Sequence, residues 1–139
     1  MTKYKIIIIL INLLLITACS KDTQNVQLIK ETNQKDEMIS NYKAGVDLLD
    51  VGDYFAASKK FLEAEILFPQ SRWAPKSVLM ASYSYFLQGY YTLAIENIKR
   101  YLKTYPKDNN KPYAHYLLAM CYYETICLLY TSDAADEGF

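Results

Sequence analysis

The sequence GVDLLDVGDYFAASKKFLEAEILFP at residues 45–69 is followed by a second version of itself, SYSYFLQGYYTLAIENIKRYLKTYP, at residues 82–106. The two stretches share a glycine, a tyrosine, an alanine and a final proline at a constant spacing of 37 residues. Self-similarity at a period of about 20–50 residues is typical of a repeat protein. Each stretch holds two apolar-periodic runs separated by a glycine, which predicts a hairpin of two helices. The matched pairs are Gly52 and Gly89, Tyr54 and Tyr91, Ala57 and Ala94, and Pro69 and Pro106.

Small residues mark the places where the predicted helices approach each other. Gly45, Ser82 and Ala119 occupy the same position in the first helix of three successive units. Two helices pack closely only where one of them contributes a short side chain, so these residues are expected to set the distance between helices. Gly52 and Gly89 are expected to take a positive φ where the first helix of each hairpin ends.

The boundaries of the predicted helices follow from capping and proline signals. Asp53 suits the start of a helix, where a side-chain acceptor and a negative charge are both favourable. Pro75 suits a first helical turn, where its missing N–H costs little, and Pro69 and Pro106 end the second helices. The predicted helices cover residues 38–51, 53–68, 75–88 and 90–105, and Pro112 opens a further first helix.

The N-terminal residues 1–18 are predicted to be a signal peptide. Lys3 and Lys5 precede an apolar run that is too short to span the hydrocarbon core of a bilayer. The run ends in Ile-Thr-Ala-Cys, which resembles the bacterial lipobox and implies that Cys19 is lipidated. The alternative is an ordinary signal peptide with an incidental cysteine. Residues 19–37 are polar with no clear period and are predicted to form a lipidated tether.

The C-terminal residues depart from the repeat. The pattern holds from Tyr113 to Ile126, but residues 127–139 have no glycine at the hairpin position and no second helix follows. This tail also resembles the translation of a sequencing adapter, so it is predicted to be non-native. The natural protein is then expected to be longer than this chain.

Composition and site chemistry exclude several functions. The formal net charge is zero, so no nucleic-acid partner is expected. His115 and Cys121 are six residues apart on one predicted helix, about 120° apart around its axis, and cannot act together as base and nucleophile. No cluster of metal ligands or phosphate-binding glycine loop occurs in the sequence. We therefore expect neither an enzyme nor a bound cofactor or metal.

The repeat resembles the tetratricopeptide repeat. Gly45, Ala57, Ala64 and Pro69 stand at the small, alanine and proline positions of that family, whereas the second unit departs from it at Tyr101. The resemblance implies an all-α solenoid of antiparallel helix hairpins, truncated in the third repeat. The predicted repeats are residues 38–71, 75–108 and, in part, 112–126.

The same resemblance places inward-facing side chains on the first helix of each unit, where they line a concave face. Half of these positions are aromatic, which suits a wet groove that binds peptide. The alternative is packing between units, and it is the favoured interpretation for Val46 and Leu79. The predicted groove residues are Tyr42, Tyr83, Phe86, Tyr113, Tyr116 and Tyr123.

A narrower resemblance is carried by WAPKSVLMASYSYF at 73–86, by GYY at 89–91 and by PYAHYLLAMCYYE at 112–124, together with the lipobox. The chain resembles the BamD family of outer-membrane assembly lipoproteins. This resemblance implies a lipid-anchored scaffold on the periplasmic face of the outer membrane. It also implies that the N-terminal repeats bind unfolded outer-membrane proteins. BamA and other assembly subunits would bind to later repeats that this chain lacks. The alternative is another exported repeat lipoprotein that organises cell-envelope or peptidoglycan complexes.

Overall fold

The structure, a computed structural model, describes the backbone of residues 23–136 and the side chains of residues 32–130. The predicted signal peptide and Cys19 lie outside the described residues. The chain divides into two compact units, residues 1–33 and 34–139, and the packing described below belongs to the second. Residues 23–136 form five helices and no strand, which confirms the all-α class. The helices are α1 (Thr23–Asp50), α2 (Tyr54–Leu67), α3 (Ala74–Leu87), α4 (Tyr91–Thr104) and α5 (Lys111–Asp136).

Helix α1 begins at Thr23, whereas the sequence prediction placed its start at Met38. The segment 19–37, predicted to be a tether, therefore has a helical backbone from Thr23 onward. The stretch 20–44 contains neither glycine nor proline, and glutamine, lysine and glutamate are good helix formers. This stretch has no apolar period, because most of residues 32–37 are exposed to solvent. The prediction therefore did not recognise it as a helix.

The two hairpin turns have the same construction. Gly52 and Gly89 have φ values of +83° and +80°, as predicted. In the first turn Asp53 N–H donates to Leu48 O at 2.9 Å, and in the second Tyr90 N–H donates to Tyr85 O at 2.9 Å. These are the long hydrogen bonds of a Schellman motif, which satisfies carbonyl groups left free where a helix ends.

The first hairpin closes over the smallest residue of α1. A Cβ atom added to Gly45 would lie 2.8 Å from Phe61 Cε1, so glycine allows the ring to approach the α1 backbone. Phe61 is fully buried and forms a core cluster with Ala57 and Ala81. Asp53 caps the start of α2 as predicted, because its Oδ1 accepts a hydrogen bond from Ala56 N–H at 3.2 Å.

The second helices of the two hairpins are joined by a partly buried ion pair. Arg100 donates to both carboxylate oxygens of Glu65, at 2.6 and 2.8 Å, and Tyr105 Oη donates to Glu65 Oε1 at 3.0 Å. Burial, followed by the proximity of the Glu65 carboxylate, raises the pKa of Tyr105 to about 12. The phenol therefore stays protonated and keeps donating at neutral pH. This network fixes α2 against α4 across 35 residues of sequence.

Tyr101 explains where the second unit departs from the tetratricopeptide pattern. The first unit has the small Ala64 at this position, and both residues are fully buried. The Tyr101 hydroxyl donates to Asp108 Oδ1 at 2.5 Å, and Asp108 also accepts from Asn110 N–H at 2.9 Å. The tyrosine therefore fills the core and holds the loop that leads into α5.

Helix α5 continues straight past the position where the first two units turn. Ile126 stands 37 residues after Gly89, and a β-branched residue strongly disfavours the positive φ of the earlier turns. Ala119, which corresponds to Gly45 and Ser82, is exposed because no second helix packs beside it within the described residues. The helical backbone includes residues 127–136 of the segment predicted to be non-native, and the origin of that segment stays a prediction.

Candidate functional site

A small apolar pocket lies on the first helix of the first unit. Its volume is about 300 Å³. Three of its lining residues, Ile39, Tyr42 and Val46, stand at positions that the repeat pattern directs toward the concave face. The others are Lys43, Asp47 and Trp73, so a mainly apolar pocket carries one charge of each sign at its edge.

Tyr42 is held in this pocket by two aromatic neighbours. Its ring makes edge-to-face contacts with Phe61 at 5.3 Å and with Trp73 at 5.1 Å between ring centroids. Lys76 Nζ lies 5.3 Å from the centroid of the Trp73 ring. Burial raises the pKa of the Tyr42 phenol, which therefore remains a neutral hydrogen-bond donor. The pocket wall is thus positioned before any ligand arrives.

Sequence reasoning placed Trp73 in the link between hairpins and missed its part in this pocket. The contact of Trp73 with Tyr42 joins residues 31 positions apart. A repeat pattern alone does not report such a contact. One available signal was that the single tryptophan stands directly before the start of α3 and two residues before Pro75.

A second aromatic patch involves α3 and α5. Burial, followed by the electrostatic influence of the Tyr83 and Tyr116 phenols, raises the pKa of Tyr113. Tyr83 is half-buried and packs against the core cluster around Val78 and Ile98. Tyr113 and Tyr116 are 43% and 62% exposed, which leaves them free to contact a ligand.

The remaining predicted groove residues have different surroundings. Phe86 packs against the core and contacts the Tyr91 ring at 5.7 Å between centroids, so it contributes to the packing of its own hairpin. Tyr123 is 62% exposed on α5. The structure therefore places Tyr42 in a pocket, and Tyr83, Tyr113 and Tyr116 in a patch. Phe86 belongs to neither of these surfaces.

The two residues that were considered for catalysis, Cys121 and His115, have different surroundings in the structure. Cys121 is fully buried, and burial raises the pKa of its thiol to about 11, so it is protonated and inaccessible at neutral pH. His115 lies exposed on the same helix. No group of three potential metal ligands comes together among the described residues. None of the helices within residues 23–136 is both long and apolar enough to cross a bilayer.

Comparison with known proteins decides the family. The family model YfiO, described as an outer membrane lipoprotein, matches residues 34–136 and so covers most of the chain. The chain belongs to this family of outer membrane lipoproteins. The match includes α1 from residue 34 onward and all of α2 to α5, and it extends into the segment predicted to be non-native.

Curated relatives carry the BamD name, which confirms the resemblance seen in the sequence. Each is described as an outer membrane protein assembly factor BamD. The relative from Caulobacter vibrioides is 36% identical over 96 residues, which is 69% of this chain and 32% of that protein. Those from Rickettsia prowazekii and Xylella fastidiosa are 32% and 24% identical, over 61% and 79% of this chain and 34% and 36% of theirs. The chain thus spans about a third of the length of these relatives.

Proposed function

We propose that this chain is the substrate-binding portion of a lipid-anchored scaffold that takes part in outer-membrane protein assembly. In this proposal Cys19 carries the lipid and the repeats face the periplasm. The aromatic surfaces of the first helices bind unfolded outer-membrane proteins. BamA and other assembly subunits bind mainly to repeats that follow those present here. Family membership and the names of the relatives support the assembly role.

The observation that carries the binding proposal is the pocket formed by Tyr42 and Trp73. A ligand that enters it meets two rings already held at 5.1 Å from each other. Rigid aromatic side chains give large contact areas with little loss of rotamer freedom on binding. The charges of Lys43 and Asp47 stand beside the apolar wall, so the pocket suits a segment in which apolar and polar residues alternate.

The patch on α3 and α5 would extend this contact to a second point on an unfolded segment. Tyr113 and Tyr116 are exposed, and their hydroxyl groups can hydrogen-bond to the backbone of an extended peptide. Each contact on its own is expected to be weak, about 1–2 kcal/mol per truncated aromatic, as for moderate interface residues. Affinity would then come from engaging both points at once.

Peptide binding tests this proposal directly. The chain from Ser20 onward is titrated with a peptide from the C-terminal strand of an outer-membrane protein. Because Trp73 is the only tryptophan, its fluorescence reports on the pocket. We expect binding to change this fluorescence, and we expect Tyr113→Ala combined with Tyr116→Ala to weaken binding at least tenfold.

The matched control is Tyr90→Ala. Tyr90 is 45% exposed, like Tyr113, but it lies at the second hairpin turn and outside both surfaces. Its replacement should leave the affinity unchanged. If the folded double variant binds the peptide with the same affinity as the wild type, the α5 patch is not part of the binding site. If the Trp73 fluorescence does not change at a saturating peptide concentration, the pocket is not part of the binding site.

Membrane anchoring is tested at Cys19. Expressed from Met1 in a Gram-negative host, the chain is expected to yield a mature N-terminus at an acylated Cys19, which mass spectrometry detects. Cys19→Ala should shift the protein from the membrane fraction to the soluble fraction or leave it unprocessed. An unacylated wild-type protein would contradict the lipid anchor and leave the peptide-binding proposal standing.

A further inference from the structure

A polar cavity opens between the two links that join successive hairpins. The first link covers residues 68–73 and the second covers residues 105–110. The cavity, called the link cavity below, has a volume of about 490 Å³. Its walls include Pro69, Pro75 and Pro106, whose rings fix φ and so limit movement of the links. All of its lining residues precede α5, so it lies between the first and second hairpins.

Two cations from different links line this cavity. Arg72 belongs to the first link and Lys107 to the second, and both side chains are exposed. Neither takes part in an ion pair among residues 32–130. The planar guanidinium of Arg72 can donate two parallel hydrogen bonds to a phosphate, whereas the Lys107 ammonium acts as a compact point charge. An anionic group in the cavity would therefore meet a positive charge from each link.

The one carboxylate in the lining, Asp108, is already engaged by its own surroundings. Its Oδ1 accepts hydrogen bonds from the Tyr101 hydroxyl and from Asn110 N–H. Burial opposes its ionisation, but these hydrogen bonds and the charge of Lys76 outweigh burial and hold the pKa of Asp108 below its ordinary value. Lys111 Nζ donates to a backbone carbonyl of the second link at 3.0 Å and adds positive charge beside the cavity.

The charges of the repeats are separated between the two ends of the hairpins. The end that carries the links, called the link end below, has five cations on the links and the adjoining helical turns: Arg72, Lys76, Lys103, Lys107 and Lys111. The opposite end has three carboxylates at the first hairpin turn: Asp47, Asp50 and Asp53. Residues 34–43 of α1 change this balance little, because they contribute two charges of each sign. A net charge of zero therefore hides a positive end, which an anionic surface would attract and orient.

A membrane surface is the anionic partner that the observations favour. The chain belongs to a family of outer membrane lipoproteins, and the phosphates of lipid headgroups cover any bilayer surface. Within residues 34–139, α1 enters at the link end, because Tyr42 contacts Trp73 of the first link. The chain that leads back to Cys19 thus leaves the repeats beside the link cavity, a step that rests on the lipid anchor of the proposed function. The cavity volume lies within the range of ordinary small-ligand sites, about 300–1,000 Å³, so it can admit a phospholipid headgroup.

We propose that the link cavity binds the phosphate of an anionic phospholipid headgroup and holds the link end of the repeats against the membrane. Arg72 donates to the two free oxygens of the phosphodiester, and Lys107 neutralises its charge from the other link. Gln70 and Thr104 line the same cavity and offer further hydrogen bonds to the headgroup. The contact adds to the lipid anchor a second, weaker attachment, which determines which end of the hairpins faces the bilayer.

Vesicle binding by the chain from Ser20 onward, which carries no lipid, tests this contact separately from the anchor. Sedimentation is measured with vesicles of phosphatidylcholine that contain about one third phosphatidylglycerol, and with phosphatidylcholine alone. We expect binding to the anionic vesicles only, and we expect it to weaken as salt is added. Arg72→Gln combined with Lys107→Gln should lower the partition coefficient at least tenfold, since each cation near an anionic surface contributes about fivefold.

The matched control is Lys59→Gln combined with Lys99→Gln. These two exposed lysines lie on α2 and α4, outside the links, and their loss changes the net charge by the same amount. The control should keep the wild-type partition coefficient. Circular dichroism checks the helix content of every variant. Lys107→Gln alone changes one exposed side chain and should still weaken binding about fivefold if the double variant disturbs the fold.

Several results would overturn the proposal. They are no binding to the anionic vesicles, or equal losses in the link variant and in the control. Displacement from the vesicles by inorganic phosphate at the headgroup concentration would assign the cavity to a free anion. Tighter binding to soluble poly-glutamate than to the vesicles would assign it to an acidic protein segment. None of these results bears on peptide binding at Tyr42 or on acylation of Cys19, so the proposed function is tested independently.

Discussion

Gly45→Leu is expected to lower the free energy of unfolding by about 3 kcal/mol, at the upper end of the cost of overpacking a core. A Cβ atom alone would lie within 3.0 Å of three atoms of the Phe61 ring, which is fully buried. Leucine is a better helix former than glycine by about 0.8–1 kcal/mol, but this gain is smaller than the cost of the steric conflict. Urea denaturation followed by circular dichroism measures the change.

A double-mutant cycle identifies the ring as the cause. Phe61→Ala alone should cost about 3–5 kcal/mol because it leaves a cavity. In the combined variant the Leu side chain at position 45 can occupy part of that cavity, so the loss should be smaller than the sum of the single losses. Additive losses would show that the helices are not in contact at this point.

Arg100→Leu is expected to cost about 2 kcal/mol. Removing one partner of a buried ion pair typically costs about 3–5 kcal/mol, and the figure is reduced here because the Arg100 side chain is 43% exposed. Glu65 is only 8% exposed by side chain, so its carboxylate would lose two charge-assisted hydrogen bonds without regaining water. The measurement is urea denaturation at neutral pH.

The chain contains a matched control for this effect. Lys60 and Glu63 form an ion pair of the same length, 2.6 Å, with side chains 39% and 50% exposed. Lys60→Leu should change stability by no more than about 0.5 kcal/mol, as for other solvent-exposed pairs. Glu65→Leu combined with Arg100→Leu should be less destabilising than Arg100→Leu alone. Equal effects of Arg100→Leu and Lys60→Leu would rule out a special role for burial.

Local signals predicted most of the helical architecture. The ends of α2, α3 and α4 lie within one residue of the predicted bounds, because Asp53, Pro75 and the two turn glycines act on their own neighbours in sequence. The start of α1 was missed because hydrophobic periodicity reports burial, and a solvent-exposed helix needs none. Ala119 is exposed although it stands at the same position as Gly45 and Ser82, because no second helix packs beside it within the described residues.

The candidate site was less predictable, since its contacts join distant parts of the chain. The repeat pattern placed Tyr42 and Tyr116 on the first helices, but it could not show that Trp73 completes a pocket with Tyr42 or that Phe86 packs inside its hairpin. The Glu65–Arg100 pair was also missed. Its one signal was an acidic residue next to Ala64, on the side of α2 that packs inward.

The bond from Tyr101 to Asp108 has a mechanical consequence. The period of this repeat exceeds the 34 residues usual for tetratricopeptide units by three, and surplus loop residues normally loosen the joint between neighbouring hairpins. Here the loop is fastened to a side chain that is itself fully enclosed in the core, so the joint cannot open without withdrawing that ring. A force applied to α5 by a bound protein would therefore be transmitted to the second hairpin instead of being taken up by movement of the loop.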